Sequence, residues 1–185
     1  MIRFGIQTPQ EGCTYEALAT HWREADALGF DSIWIDDHFY PVVRPRAEAQ
    51  MEAWTLLAAL ARETTRIRIG ILVGCNSYRS PAVVAKMAAT VDVLSGGRLI
   101  HGMGAGWFES EYRGYGFEFP SVGRRLAQLD EALTVQKLLW SEEEASFGGR
   151  FYRLENAVCN PKPVQRPHPP ILIGGGGEKT LLRND

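Results

Sequence analysis

The chain has 185 residues, 45% of them hydrophobic, and a formal net charge of −2. That is enough apolar material for one domain with a sizeable core, and too even a charge balance to suit a polyanion, so no nucleic-acid partner is expected. No apolar run approaches the ~20 residues a membrane helix needs, so no membrane partner is expected either.

The first strand runs from Arg3 to Gln7. It starts almost at Met1, which leaves no room for a signal peptide and points to a cytoplasmic protein. Leu18, Trp22, Ala25 and Leu28 then recur at helical spacing and stop at Gly29, the residue type that ends helices in the left-handed region. Ser32-Ile-Trp-Ile-Asp36 predicts a second strand, and Trp54, Leu57, Ala58 and Ala61 a second helix. Ile67 to Val73 predicts the third strand, with Val83, Val84, Met87 and Val91 as the apolar face of the third helix. Arg98 to Met103 follows as a strand, Leu126, Leu129, Leu133 and Leu138 as a helix, and Ile171 to Gly174 as a fifth strand. Strand, helix, strand at this spacing means parallel βα units, because parallel neighbours need a crossover to bring the chain back. The fold class is α/β.

Cys13, Cys75 and Cys159 are odd in number and show no CxxC spacing, so neither a disulfide framework nor a zinc site is expected. No carboxylate pair, Ser-His-Asp order or metal-ligand cluster supports hydrolysis or metal catalysis. The strongest chemical signal is Gly104-Ala105-Gly106 at the end of the fourth strand, where residues this small let a flat ligand approach backbone. A dinucleotide fingerprint is absent, because Glu109 stands where GxGxxG needs its last glycine. Gly174 to Gly177, after the fifth strand, repeats the signal: four glycines cost chain entropy that a mere turn would not need. Five strands alone leave both an open doubly wound sheet and a barrel of ~250 residues in play.

Particular motifs resemble one family. Asp37-His38-Phe39 follows the second strand, Tyr78-Arg79-Ser80-Pro81 opens the third helix, and Ala85 to Arg98 runs into Gly104-Ala105-Gly106-Trp107-Phe108-Glu109-Ser110-Glu111. With Phe147 to Tyr152 and Pro161 to Ile171, they resemble the luciferase-like flavin and deazaflavin oxidoreductases over nearly the whole chain. The likeness is greatest to the branch dependent on the deazaflavin coenzyme F420. It implies a (β/α)8 TIM barrel whose cofactor ring lies across the C-terminal strand ends, and hydride transfer to or from a small organic substrate. An FMN-dependent monooxygenase of the same fold is the alternative, and a homo-oligomer, as a dimer, is expected. Family members continue past the glycine run, so residues 1–185 are expected to form a single luciferase-like domain that is the N-terminal part of a barrel. About five βα units would be present and the last strands absent, leaving open sheet edges. A non-catalytic cofactor-binding or interface fragment is therefore the reading from another class.

The resemblance also assigns roles. His38 is expected to be catalytic, as a proton donor or acceptor, against the ordinary fate of a hydrogen-bonded turn histidine. Asp37 would bind the cofactor or orient His38, or simply cap the strand end. A bulge at Leu72-Val73, through a non-prolyl cis peptide, would meet the cofactor ring together with Gly74. Gly104, Ala105, Gly106, Gly175 and Gly176 would bring backbone to the ring or its phosphate. Glu111 matches a recurrent acidic position, with catalysis weighed against a helix-start role or an ion pair with Arg79 or Arg113, while Glu109 reads as a solvated loop residue. Trp107 and Phe39 would contact substrate, although Trp107 would equally serve as core. His101 is expected in the core, and His21 and His168 in structural or exposed positions.

Overall fold

A computed structural model describes residues 2–175. The chain alternates β1 (Gly5–Gln7), α1 (Tyr15–Ala27), β2 (Ser32–Ile35), α2 (Ala53–Glu63), β3 (Arg68–Ile71) and the two-residue β4 (Gly74–Cys75). It continues with α3 (Pro81–Ser95), β5 (Leu99–Gly104), α4 (Glu109–Gly114), α5 (Val122–Ser141), β6 (Ala145–Gly148), β7 (Arg153–Ala157) and β8 (Ile171–Gly174). Local chemistry sets the helix ends. Thr14 accepts from Ala17 N at 3.3 Å to open α1, and Gly29 follows its end at φ +88°. Glu52 accepts from Trp54 N and Thr55 N at the start of α2, and Pro81 supplies the fixed φ of the first residue of α3.

β1, β2, β3, β5 and β8 lie side by side in chain order, every pair parallel. An order without reversal is that of a barrel wall and excludes a doubly wound sheet. β4 prolongs β3 beyond Leu72-Val73: β3 pairs with Leu99 and Ile100, and β4 with Met103 and Gly104, further along the same neighbour. Strand residues alternate between faces. Ile33, Ile35, Ile69, Ile71 and Leu99 form the core with Leu18 and Trp22 of α1, Leu57 and Leu60 of α2, Ala85 and Ala88 of α3, and Leu129 and Trp140 of α5. On the opposite face Trp34 crosses Gly70, where any Cβ would strike the indole at 2.6 Å. None of the described helices is long and apolar enough to cross a membrane.

Three details depart from the expected pattern. β6 and β7 form an antiparallel hairpin before β8, a short helix α4 follows Phe108, and Val83, expected on the buried face of α3, is 52% exposed. The buried face of α3 is instead built from Val84, Ala85, Ala88, Ala89 and Val91, because small residues admit α2 and α5 on either side. His101 is fully buried between sheet and helices, with Nε2 2.9 Å from Gln136 Oε1 and its ring edge-on to Trp140. Burial lowers its pKa to about 4, so it is neutral near pH 7.

Candidate active site

The C-terminal ends of β2, β4, β5 and β8 surround a cavity of about 340 Å³, within the size range of small-molecule sites. Asp37 and His38 line one side, Val73, Gly74 and Cys75 the floor, and Gly104, Ala105 and Gly106 the other side, with Gly174 and Gly175 beside them. Trp107 and Phe108 stand at the rim, where Trp107 is 63% exposed and therefore not core. Tyr78 also reaches the cavity, and Val122, Arg125 and Leu126, from the first turns of α5, complete the lining. Gly176 lies outside the described residues. Leu72, Phe39 and Glu111 do not line the cavity: Leu72 is partly exposed on the sheet, and Phe39 turns away to pack on Tyr78, Tyr115 and Phe117. Phe39 thus supports Tyr78 and is not among the residues that line this cavity.

The peptide bond between Leu72 and Val73 is cis, at the position where the resemblance placed the bulge. The glycines around it have a different first cause from the one expected. A Cβ on Gly104 would approach Val73 Cγ2 to 2.7 Å, and one on Gly174 to 2.5 Å, so both residues make room for Val73 before any ligand arrives. Gly106 has φ +78°, and a Cβ there would collide with the Tyr112 hydroxyl and the Cys75 thiol.

His38 is oriented by Glu111, 73 residues away. Its Nδ1 lies 2.8 Å from Glu111 Oε2. The other oxygen, Oε1, accepts from Phe39 N at 2.6 Å and Tyr40 N at 3.4 Å, while Tyr78 Oη donates to Oε2 at 2.6 Å. Burial alone would raise the Glu111 carboxyl, but the donors from His38, Tyr78 and Phe39 N outweigh it and hold the pKa below its ordinary value. Burial would likewise lower the His38 imidazole, yet the hydrogen bond and charge of Glu111, with Asp36 and Asp37 adding to them, raise it. Because an ionised carboxylate only accepts, Nδ1 must carry the proton toward Glu111, leaving Nε2 to take or give one.

Asp37 does not orient His38. Arg79 grips its carboxylate bidentately at 2.8 and 2.9 Å, and Cys75 N donates to Oδ2 at 2.8 Å. Asp37 thereby ties the end of β2 to the segment that follows the bulge. Arg79 is thus no partner of Glu111, nor is Arg113, which pairs with Glu109 at 2.6 Å. Cys75 is no nucleophile, since burial pushes its thiol up to about 11. Arg125 donates to the carbonyls of Gly106 and Pro120 and lies 4.2 Å over the Phe119 ring, fixing the glycine segment against the loop before α5. Sequence reasoning gave no role to Tyr78 or Arg125. The Tyr-Arg-Ser-Pro motif contained the first, but nothing local reveals that its hydroxyl meets a carboxylate 33 residues later.

A barrel wall with a mostly apolar cavity, one oriented histidine and a glycine-lined strand end defines an α/β scaffold with a small-molecule cavity at its strand ends. Residues 1–183 match the family model described as luciferase-like monooxygenase, and the chain belongs to that family. It is 36% identical over 179 residues to an F420-dependent glucose-6-phosphate dehydrogenase of Intrasporangium calvum, covering 95% of this chain and 53% of that protein. An FMNH(2)-dependent dimethylsulfone monooxygenase of Pseudomonas putida is 35% identical over 129 residues, which is 70% of this chain and 35% of that one. Among solved structures, an F420-dependent secondary alcohol dehydrogenase in complex with an F420-acetone adduct superposes with a TM-score of 0.86 at 30% identity, covering 96% of this chain and 53% of that one. The chain therefore spans about half the length of these F420-dependent relatives.

Proposed function

We propose that the protein serves an oxidoreductase that moves a hydride between coenzyme F420 and a substrate carbon bearing a hydroxyl or carbonyl group. The observation that carries this reading is the His38–Glu111 pair, whose histidine lines the same cavity as Val73 and Gly104 to Gly106 while Nδ1 is held by the carboxylate. Between the alcohol and its carbonyl, a hydride and a proton must leave together, and the cavity supplies a place for each. Coenzyme F420, when bound, would supply the hydride acceptor or donor. The residues fit such a group, since the apolar floor and small-residue wall leave a flat ring unobstructed. Val73, Gly74 and Gly104 to Gly106 would hold it, with Asp37 and Arg79 fixing the strand ends. His38 takes the hydroxyl proton at Nε2 as the substrate C–H bond breaks, and returns it in the reverse direction. Glu111 stabilises the imidazolium that results. Trp107 covers the mouth and limits access of water.

The names of the F420-dependent relatives support the coenzyme and the substrate class. The FMNH(2)-dependent relative supports a second reading, an FMN-dependent monooxygenase on the same scaffold. Anaerobic mixing of the protein with oxidised F420 and a panel of secondary alcohols and sugar phosphates separates the two. Substrate-dependent loss of the oxidised chromophore, slowed by about 10²-fold or more in His38→Ala, is expected. Oxygen uptake with reduced FMN, and no reaction with F420, would establish the second reading instead.

A further inference from the structure

We propose that Tyr78 is a positioning residue for His38, acting through Glu111: its hydroxyl competes with the imidazole for one carboxylate oxygen and so sets how tightly His38 holds its proton. The two groups meet on Oε2, Tyr78 Oη at 2.6 Å and His38 Nδ1 at 2.8 Å. Glu111 is fully buried, so no solvent shares the load, and its other oxygen is committed to Phe39 N and Tyr40 N. Every donor that Oε2 accepts drains charge from it. Tyr78 thus weakens the pull of Glu111 on the imidazolium while keeping the carboxylate ionised. Its ring has little freedom to leave, lying 4.7 Å from Phe39, 5.2 Å from Tyr112 and 5.3 Å from Phe117 between ring centroids.

Other charges face His38, but none has this leverage. Asp36 and Asp37 precede it and add to the pull on its proton, but Asp37 is held bidentately by Arg79 and neither carboxylate takes part in the His38–Glu111 hydrogen bond. Glu11, from the loop after β1, spends its carboxylate on Val42 N, Val43 N and Arg44 N. Arg125 lines the same cavity from α5 and is engaged with the carbonyls of Gly106 and Pro120. Among the described residues, only Tyr78 shares with His38 the oxygen that His38 uses.

The inference rests on the assignment of His38 as the proton-handling residue, but its test needs neither cofactor nor turnover. The His38 pKa is read from nitrogen and proton shifts in the labelled chain, with His38→Asn identifying its signals among those of His21, His101 and His168. Tyr78→Phe keeps the ring and deletes the donor. It should raise the His38 pKa by about half a unit, because the carboxylate oxygen that holds the imidazolium then loses its competing donor. Site-specific 3-fluorotyrosine at position 78 retains every contact and donates more strongly, so it should move the value the other way, and it decides the matter if Tyr78→Phe fails to fold. In a Glu111→Gln background Tyr78→Phe should have no effect on His38. An unchanged or lowered pKa in Tyr78→Phe, an unchanged or raised pKa with fluorotyrosine, or the same Tyr78→Phe shift with and without Glu111 would overturn the inference. Failure of F420 chemistry alone would leave it standing, so the two proposals fail separately.

Discussion

Glu111 sits behind His38, fully buried, with its Oε2 2.8 Å from Nδ1 and outside the cavity that His38 faces. The carboxylate does not itself line that cavity and meets it through the two groups on Oε2, the His38 imidazole and the Tyr78 hydroxyl. Its substitution should therefore act on proton handling rather than on binding. Glu111→Gln is expected to lower the His38 pKa, move the corresponding limb of the pH–rate profile to lower pH, and reduce turnover by about 10-fold or more, with cofactor affinity little changed. Rates measured across pH at saturating cofactor check this; an unshifted limb would count against the pairing.

His38→Ala removes the proposed proton acceptor. Turnover should fall by about 10²-fold or more while the cofactor dissociation constant stays within a few-fold of the parent value. Stopped-flow reduction of F420 separates the two quantities. Weakened binding at an unchanged rate would make His38 a holding residue.

How far the sequence foretold these relationships depends on their range. The parallel strands and their helices were legible because Ile33/Ile35, Ile69/Ile71 and the Leu18–Trp22 spacing each encode a buried face locally. The β6–β7 hairpin was not, since Glu155 and Asn156 break its apolar alternation and the anchor of its turn is Glu131, which accepts from Arg150 N and Phe151 N across some twenty residues. Large side chains also misled the reading of α3, where alanines rather than Val83 face the neighbouring helices. At the site, strand-end glycines and His38 could be picked out one by one. Which carboxylate serves His38 could not, because Asp37 is its neighbour in sequence and Glu111 its neighbour only in space.

Gly106 should be intolerant of a side chain. Alanine there meets both the φ of +78° and the Tyr112 hydroxyl, so Gly106→Ala is expected to lose about 2 kcal/mol or more of stability. Gly116, also at positive φ (+75°) but with nothing within 4 Å of a Cβ, should lose about 1 kcal/mol. Urea unfolding of the two variants makes the comparison, and equal losses would mean that backbone conformation alone explains Gly106.

His101 should impose a pH dependence on stability. Its folded pKa of about 4 lies below the ordinary 6.5, so as pH falls the unfolded chain takes up a proton that the folded chain refuses. Stability is lost below the unfolded value, by about 2 kcal/mol between pH 7 and pH 5 from this group. His101→Leu should flatten the profile by that amount, whatever its effect at pH 7. Identical slopes in urea midpoints would show that His101 is not held neutral.

The most direct measurement is a difference-absorbance titration of the chain with oxidised coenzyme F420 and, in parallel, with FMN. A saturable spectral change with F420 at concentrations where FMN gives none, preserved in His38→Ala, is expected of a deazaflavin site on this cavity. Tighter binding of FMN, or no saturable change with F420, would contradict it.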